Sequence, residues 1–274
     1  MKIHYLGTAA YDAIPALFCQ CDTCVRARAL GGRNIRSRCQ ALVNEDLLLD
    51  FNPDTVMHFQ RDNIDCNKID YCLITHSHED HLYPSDMMIP RFSAKPHKVR
   101  YFVGKAGYDI IEKEFHRFPA MLNPDLAEVT EVEPFTEFSV GPYRVLSVKG
   151  QHDPASSPLL YAIEQDGKRL LYAHDTGIFL EETVEALRKF GKFDMISLDC
   201  TGAVGAGDWV KDHMNLANCG VTLDRLRREG IADEETVCVL NHFSHNGWAN
   251  YDELLEPAKK YGFLVAYDGM TLEF

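Results

Sequence analysis

Three histidines and an aspartate fall within the six residues His76-Ser77-His78-Glu79-Asp80-His81. They follow an apolar run, Tyr71-Cys72-Leu73-Ile74, that reads as a buried strand. In an extended chain side chains two apart share a face, so His76 and His78 point the same way. Asp80 and His81 come after the chain has to turn, and Pro84 and Ser85 suggest a helix start beyond them. A loop at a strand's end can thus aim one ligand pair at each of two metal ions. Neutral imidazole and carboxylate suit zinc, and also manganese or iron. The alternative is a polar loop rich in histidine by coincidence, and few loops gather this many good ligands without a metal.

A second group of ligand-type residues is Cys19-Gln20-Cys21-Asp22-Thr23-Cys24. Three thiols so close can converge on one ion as thiolates, with zinc the best match, and a fourth ligand must then come from elsewhere. Three unrelated thiols, or a redox pair at Cys21 and Cys24, are the other readings. The basic stretch that follows, Arg26, Arg28, Arg33, Arg36 and Arg38 around Gly31-Gly32, reads as a solvated helix face and loop in preference to an anion path.

The elements that must position these groups alternate between strand and helix. Lys2–Leu6 alternates as a first strand, ended by Gly7-Thr8-Ala9. Gln40–Val43 and Leu47–Asp50 read as strands around an Asn44-Glu45-Asp46 turn, and Pro53 can open a helix through Arg61. A short helix and loop cover 84–98. Val99–Val103 is a strand and Tyr108–Phe115 a helix. Phe115, Phe118 and Met121 near Pro119 read as core in preference to a pocket wall. Tyr143–Val148 leads into a loop with His152. Tyr161–Glu164 and Leu170–Ala173 form a hairpin over Asp166-Gly167, and the second arm runs into His174-Asp175. Neighbours in an extended segment point oppositely, so His174 reads as structural if Asp175 is functional. A helix runs from Leu180 to Phe190, and Met195–Leu198 is a buried strand ending at Asp199. Asn215 can cap the helix of Leu216, Cys219, Leu223 and Leu226. Val237–Leu240 precedes Asn241-His242-Phe243-Ser244-His245. The helix Tyr251–Tyr261 is kinked or restarted at Pro257, and Phe263–Tyr267 is expected to be the last strand.

The 274 residues are enough for a substantial core, and no linker or repeat divides them. A single domain over 1–274, with the cysteine segment near its start, is the expected organisation. A net charge of −13 argues against broad binding to nucleic acid or anionic membrane. The chain starts without the apolar stretch of a signal peptide, and no run approaches the roughly 18 apolar residues of a membrane span. The expected location is the cytoplasm. Nine cysteines in a chain this long suggest core thiols or metal ligands in preference to a disulfide scaffold.

The His-x-His-x-Asp-His pattern after an apolar strand resembles the signature of the metallo-β-lactamase superfamily. That resemblance implies an α/β fold, an αββα sandwich of mixed sheets with helices on both outer faces. It also implies two divalent metal ions: His76, His78 and His152 on one, Asp80, His81 and His242 on the other, and Asp175 bridging. Within the superfamily the chain is most similar to the cyclic phosphodiesterases associated with carbon–phosphorus lyase. The similarity includes Gly7-Thr8-Ala9, the stretch Pro15–Cys21, Cys24, His213-Met214 and His242-Phe243-Ser244-His245. It implies one structural zinc on Cys21, Cys24, His245 and a further thiol, Cys19 or its competitor Cys39. A zinc on His245 would fix the loop that presents His242.

His213 then stands out as a candidate to hydrogen-bond a phosphate oxygen or to protonate a departing alkoxide, a solvated histidine before a helix cap being the alternative. Asp80 is a ligand first and a proton-transfer candidate second. The function expected is hydrolysis of a small, cyclic or linear, phosphodiester by a hydroxide activated between two ions, zinc or manganese with iron as a third option. The expected partner is a small anionic substrate, and a homodimer is compatible with the sequence. The second reading is a relative of protein B of pyrroloquinoline quinone biosynthesis, expected to perform oxidative chemistry. A third, a metal-dependent binding protein, has no use for an activated water.

Overall fold

Leu47, Leu48 and Leu49 show how the sequence builds the fold. Successive side chains on a strand point to opposite faces. In the computed structural model, which describes residues 1–118, 123, 125–205 and 211–274, Leu47 and Leu49 enter one apolar cluster and Leu48 another. The same alternation recurs at Leu170, Leu171, Tyr172 and Ala173. Strands that are apolar on both faces need cover on both, which is why their sequences read as continuous apolar runs.

Two seven-stranded mixed sheets supply the inner layers. The first contains β1 (Lys2–Gly7), β2 (Gln40–Val43), β3 (Leu47–Leu49), β4 (Tyr71–Ile74), β5 (Val99–Val103), β6 (Ala127–Glu131) and, at its other edge beside β1, β14 (Met270–Glu273). The second runs in order from β7 (Glu137–Val140) through β8 (Tyr143–Lys149), β9 (Leu159–Gln165), β10 (Lys168–Ala173), β11 (Met195–Asp199) and β12 (Val237–Asn241) to β13 (Leu264–Val265). In each sheet antiparallel pairing gives way to parallel pairing, at β3–β4 and at β10–β11. Ile3, Tyr5, Leu73, Tyr161, Tyr172 and Val239 pack between the sheets.

The helices α2 (Thr55–Arg61) and α3 (Lys105–Arg117) belong with the first sheet's outer cluster, where Ile111 and Phe115 are buried. On the other outer face, α4 (Glu181–Phe190), α5 (Leu216–Arg228) and α6 (Tyr251–Lys259) bury Val184, Leu187, Leu223, Leu226 and Leu254. Asn215 caps α5 reciprocally with Asn218, through bonds of 3.0 and 3.2 Å. The remaining helix, α1 (Asp22–Leu30), carries the cysteine segment at its start.

Four expectations need correction. Phe263–Tyr267 is not the last strand: only Leu264–Val265 pair there, and the chain returns to the first sheet as β14. The strands β6 and β7 were not anticipated, because both are edge-side segments with many polar residues. Pro53 lies outside α2, two residues before it. Among the arginines expected to be solvated, Arg36 is buried, donating to Thr8 Oγ1 and to the Ala266 carbonyl at 2.7 Å with its guanidinium 4.2 Å over the Phe243 ring. These contacts replace its hydration. Met121 and Pro119 lie outside the described residues. No helix among the described residues is long and apolar enough to cross a membrane.

Candidate metal centre

The candidate ligands all follow strands. The loop after β4 carries His76, His78, Asp80 and His81, while β8, β10 and β12 lead to His152, Asp175 and His242. Asp175 and His242 have φ of 50° and 61°, and Asp50, past β3, has 69°. This left-handed backbone costs a side-chain-bearing residue of the order of 1–3 kcal/mol and concentrates at functional sites.

Two clusters of ligand atoms result. His78 Nδ1 lies 2.9 Å from His76 Nε2 and 3.1 Å from His152 Nε2. In the other, His81 Nε2 lies 3.3 Å from His242 Nε2 and 3.2 Å from Asp80 Oδ2. Asp175 stands between them. Its Oδ2 is 2.7 Å from His81 Nε2 and 2.9 Å from His242 Nε2, while Oδ1 is 3.7 Å from His152 Nε2. Ligands about 2.0–2.1 Å from a tetrahedral ion stand about 3.3 Å apart, close to these spacings. The buried Asp175 Oδ2 has no hydrogen-bond partner among the described residues, a costly state for a carboxylate oxygen without a cation. The donor set therefore fits divalent metal ions.

The charges agree. Burial alone would lower the pKa of His81, but Asp80, Asp175 and Asp50 overcome it and hold it well above its ordinary value. Burial is likewise overcome at His242, by Asp175, Asp199 and Asp80. Asp80 and Asp175 are held well below the usual carboxylate range against burial, chiefly by these imidazoles. The pocket selects positive charge.

Partners for the outward nitrogens were not legible in sequence, and the structure supplies them. His81 Nδ1 is 2.8 Å from Asp50 Oδ2, and the other Asp50 oxygen accepts from Thr75 N at 2.7 Å and Thr75 Oγ1 at 2.9 Å. His242 Nδ1 is 2.8 Å from Thr201 Oγ1, and His152 Nδ1 is 3.1 Å from the Asp212 carbonyl. Asp199, buried at the end of β11, accepts from Asp175 N, Thr201 N and Met214 N, each at 3.0 Å. Asp50 and Asp199 carry the same sequence signal as Asp175, an aspartate closing an apolar run, but their roles depend on contacts between strands.

His213 joins this site. Its Nδ1 is 3.0 Å from Asp199 Oδ2 and 3.7 Å from Asp175 Oδ1. Burial opposes its protonation, but Asp199 more than compensates and raises its pKa. It lines a cavity of about 320 Å³ together with His78, Asp80, His152, Asp175 and His242. His174 does turn away: it is buried with Nδ1 3.3 Å from Cys39 Sγ and Nε2 2.8 Å from Ser197 Oγ.

The ligand atoms of Cys19, Cys21, Cys24 and His245 lie within 4.8 Å of one another. His245 Nδ1 is 3.4 Å from Cys21 Sγ and 3.6 Å from Cys19 Sγ, near the roughly 3.5 Å expected across a tetrahedral zinc. Cys19, and not Cys39, stands in this cluster with Cys21 and Cys24; Cys39 is buried against Tyr172, His174 and Asn241. All nine cysteines are free. Burial works against ionisation of Cys21, yet the Cys24 amide, His245 and the adjoining thiols bring its pKa down to about 6.

An αββα sandwich with clustered imidazoles and carboxylates at its strand ends defines a metallo-β-lactamase-fold, hydrolase-like protein. Residues 46–242 match the family described as Beta-lactamase superfamily domain, and the chain belongs to that superfamily. Among solved structures it is similar to a new diphosphatase from the PhnP family, with TM-score 0.76, 19% identity, and 100% of this chain and 97% of that chain covered. It is equally similar to Zn(2+)-bound PqqB from Methylobacterium extorquens, with TM-score 0.76, 19% identity and 100% of both chains covered. It is also similar to the short form of human tRNase Z (ELAC1), with TM-score 0.67, 16% identity, and 100% of this chain and 99% of that chain covered. These identities establish likeness of fold. No curated protein sequence matches the chain.

Proposed function

We propose that the protein is a metal-dependent phosphodiesterase acting on a small phosphodiester, cyclic or linear. The observation that carries this reading is the placement of Asp175 between two imidazole clusters, in a cavity shared with His213. His76, His78 and His152 would hold one divalent ion and Asp80, His81 and His242 the other, with Asp175 reaching both. Zinc or manganese suits these ligands, and iron is a third option. When bound, the two ions supply hydroxide at neutral pH and offset the charge that develops on the phosphoryl group.

The chain's own residues do the rest. Asp50, Thr201 and the Asp212 carbonyl accept hydrogen bonds from Nδ1 of His81, His242 and His152, so that each Nε2 lone pair faces the centre. Asp199 accepts a hydrogen bond from His213 Nδ1 and favours the charged form of the imidazole. The Nε2 proton of His213 can then pass to the departing ester oxygen. Asp80, held ionised, serves as a ligand and not as the acid. Cys19, Cys21, Cys24 and His245 would hold a structural zinc.

A second reading, kinship with the protein B family of pyrroloquinoline quinone biosynthesis, is supported by the equal likeness to PqqB. A histidine whose charged form is favoured by a buried carboxylate 3.0 Å away supports hydrolysis, where a leaving alkoxide needs a proton. The deciding experiment is turnover of bis(p-nitrophenyl) phosphate by protein loaded with manganese or zinc. Hydrolysis that is abolished by a chelator is expected. No diester hydrolysis with two metals bound, together with oxygen uptake by the iron-loaded protein, would replace this reading with the second.

A further inference from the structure

A second cavity, of about 300 Å³, lies on the outer side of the first sheet. It shares no lining residue with the cavity of the metal ligands. Leu48 on β3 and Tyr101 on β5 reach it from the sheet, and both belong to the outer apolar cluster. Phe51, past β3, and Phe59 on α2 add two aromatic rings. Met87 and Ile89 come from the short helical segment Asp86–Phe92. Protein interiors hold few voids larger than a water molecule, so a space of this size with mainly apolar walls is unusual.

One polar group in this wall has no partner. Tyr101 is only 3% exposed, yet its hydroxyl makes no hydrogen bond among the described residues. Other buried tyrosines differ. Tyr5 Oη donates to Ser197 Oγ at 2.9 Å, Tyr161 Oη donates to the Ile74 carbonyl at 2.8 Å, and Tyr143 Oη bonds Asn44 and Asp46. Even Tyr172 Oη has Cys39 Sγ at 3.5 Å. A buried hydroxyl left unpaired is destabilising, so this one calls for an acceptor. Thr55 Oγ1, the other buried hydroxyl of the wall, is already engaged with the Asn52 carbonyl at 2.7 Å and Gln40 Nε2 at 2.8 Å. A trapped water needs about two to four polar partners and would find a single free hydroxyl at this buried end. The charged residues of the wall, Asp86, Lys95 and His97, are half-buried or exposed. The first two are opposite in sign, and His97 Nε2 stands 3.0 Å from Asp70 Oδ1. An ion drawn inside would therefore lose its hydration without a buried counter-charge.

We propose that this cavity binds a neutral, mainly apolar aromatic molecule whose one carbonyl-type oxygen accepts from Tyr101 Oη. Apolar pockets with a few placed polar groups are the usual form of a small-molecule site, the polar group fixing the ligand's orientation. A cavity of roughly 150 Å³ holds benzene, so this one takes a molecule of about twelve non-hydrogen atoms. The rings favour an aromatic occupant: Phe51 and Tyr101 already meet edge to face, with centroids 6.1 Å apart at 83°. The site is separate from the metal centre and does not depend on the phosphodiesterase reading.

The test uses the full chain and three naphthalene probes of closely matched size. These are 2-acetylnaphthalene, 2-isopropenylnaphthalene, in which a methylene replaces the carbonyl oxygen, and the charged 2-naphthoate. Calorimetry should give the ketone a dissociation constant of the order of 10–100 µM, the range that a dozen or so buried atoms support. Naphthoate should bind at least about tenfold more weakly. Tyr101→Phe should weaken the ketone about tenfold, the effect of one hydrogen bond, and leave the alkene within about threefold. Without ligand the same variant should keep the parent's Tm, because the hydroxyl it loses is unpartnered. Cys66, exposed at the edge of the cavity, should be protected from iodoacetamide by the ketone, read by peptide mass spectrometry. Removal of the catalytic ions should leave the ketone's affinity unchanged. No binding by any probe, a Tyr101→Phe effect equal on ketone and alkene, tighter binding of naphthoate, or binding that leaves Cys66 unprotected overturns the site. A Tm lowered by Tyr101→Phe would show that the hydroxyl is already bonded and overturns it too.

Discussion

At Asp175 one side chain reaches both ligand clusters. Its two oxygens face different imidazoles, and the one between His81 and His242 has no hydrogen bond to compensate its burial. Asp175→Ala should therefore lower metal content and abolish hydrolysis with little change in the apolar core. Elemental analysis and turnover on one preparation check this; two metals bound with near-normal activity would remove the bridging role. His213 predicts a different pattern, because its Nδ1 bonds Asp199, which is not a proposed ligand, at 3.0 Å and stands farther, 3.7 Å, from Asp175. His213→Ala should keep its metals and its Tm but lose roughly 10²- to 10⁴-fold in rate on an alkoxide leaving group, the usual contribution of one acid. The loss should shrink with p-nitrophenolate, which leaves without a proton. Equal losses on both would reassign His213 to holding the phosphate.

Between residue and whole molecule, the loop after β12 links two sites. His242 faces the catalytic cluster, and three residues later His245 faces the cysteines. His242→Ala should lose a catalytic metal from a folded protein. His245→Ala should release zinc and lower Tm by roughly 5 °C or more, since structural zinc binding is coupled to folding. Metal analysis with melting curves separates the two, and identical behaviour would mean one shared site. A second element-scale prediction concerns the packing of α2 beneath β1. His58 is buried, with Nδ1 2.7 Å from Gln40 Oε1 and Nε2 2.7 Å from Ser37 Oγ. Burial, helped by Arg61, pushes its pKa down to about 4. Unfolded, the imidazole titrates near 6.5, so the unfolded chain gains the proton first. Its stabilising share is complete above about pH 6.5 and falls by up to about 3 kcal/mol as pH drops toward 4. Denaturant melts should show His58→Gln less stable at pH 7.5, yet losing less stability than the parent between pH 7 and 5.

For the molecule as a whole, the apolar clusters lie between the sheets and under the helices, apart from the ligand atoms. Stripping the catalytic ions with a chelator should then leave near-UV circular dichroism almost unchanged. Tm should still fall, because ions that bind only the folded state stabilise it by mass action. Loss of near-UV signal on mild chelation would show that the catalytic ions hold the sandwich together.

What the sequence by itself determined is what short-range chemistry encodes. Contiguous ligands after an apolar run mark His76 to His81 without any long-range contact, and unbroken apolar strands such as Leu47–Leu49 imply a sheet covered on both faces. His174 could be set aside because neighbours on a strand diverge. The tertiary structure alone decided what depends on closure of the chain. Asp50 and Asp199 look like any aspartate after a strand until β3 lies beside β4 and β11 beside β10. Cys39 competes with Cys19 for the zinc in sequence, and only packing sends Cys39 to His174. The edge strands β6, β7 and β14 carry little apolar pattern because one side of each meets solvent or a sheet margin. Local pattern is written in neighbouring residues; a partner more than two hundred residues away is specified only by the folded geometry.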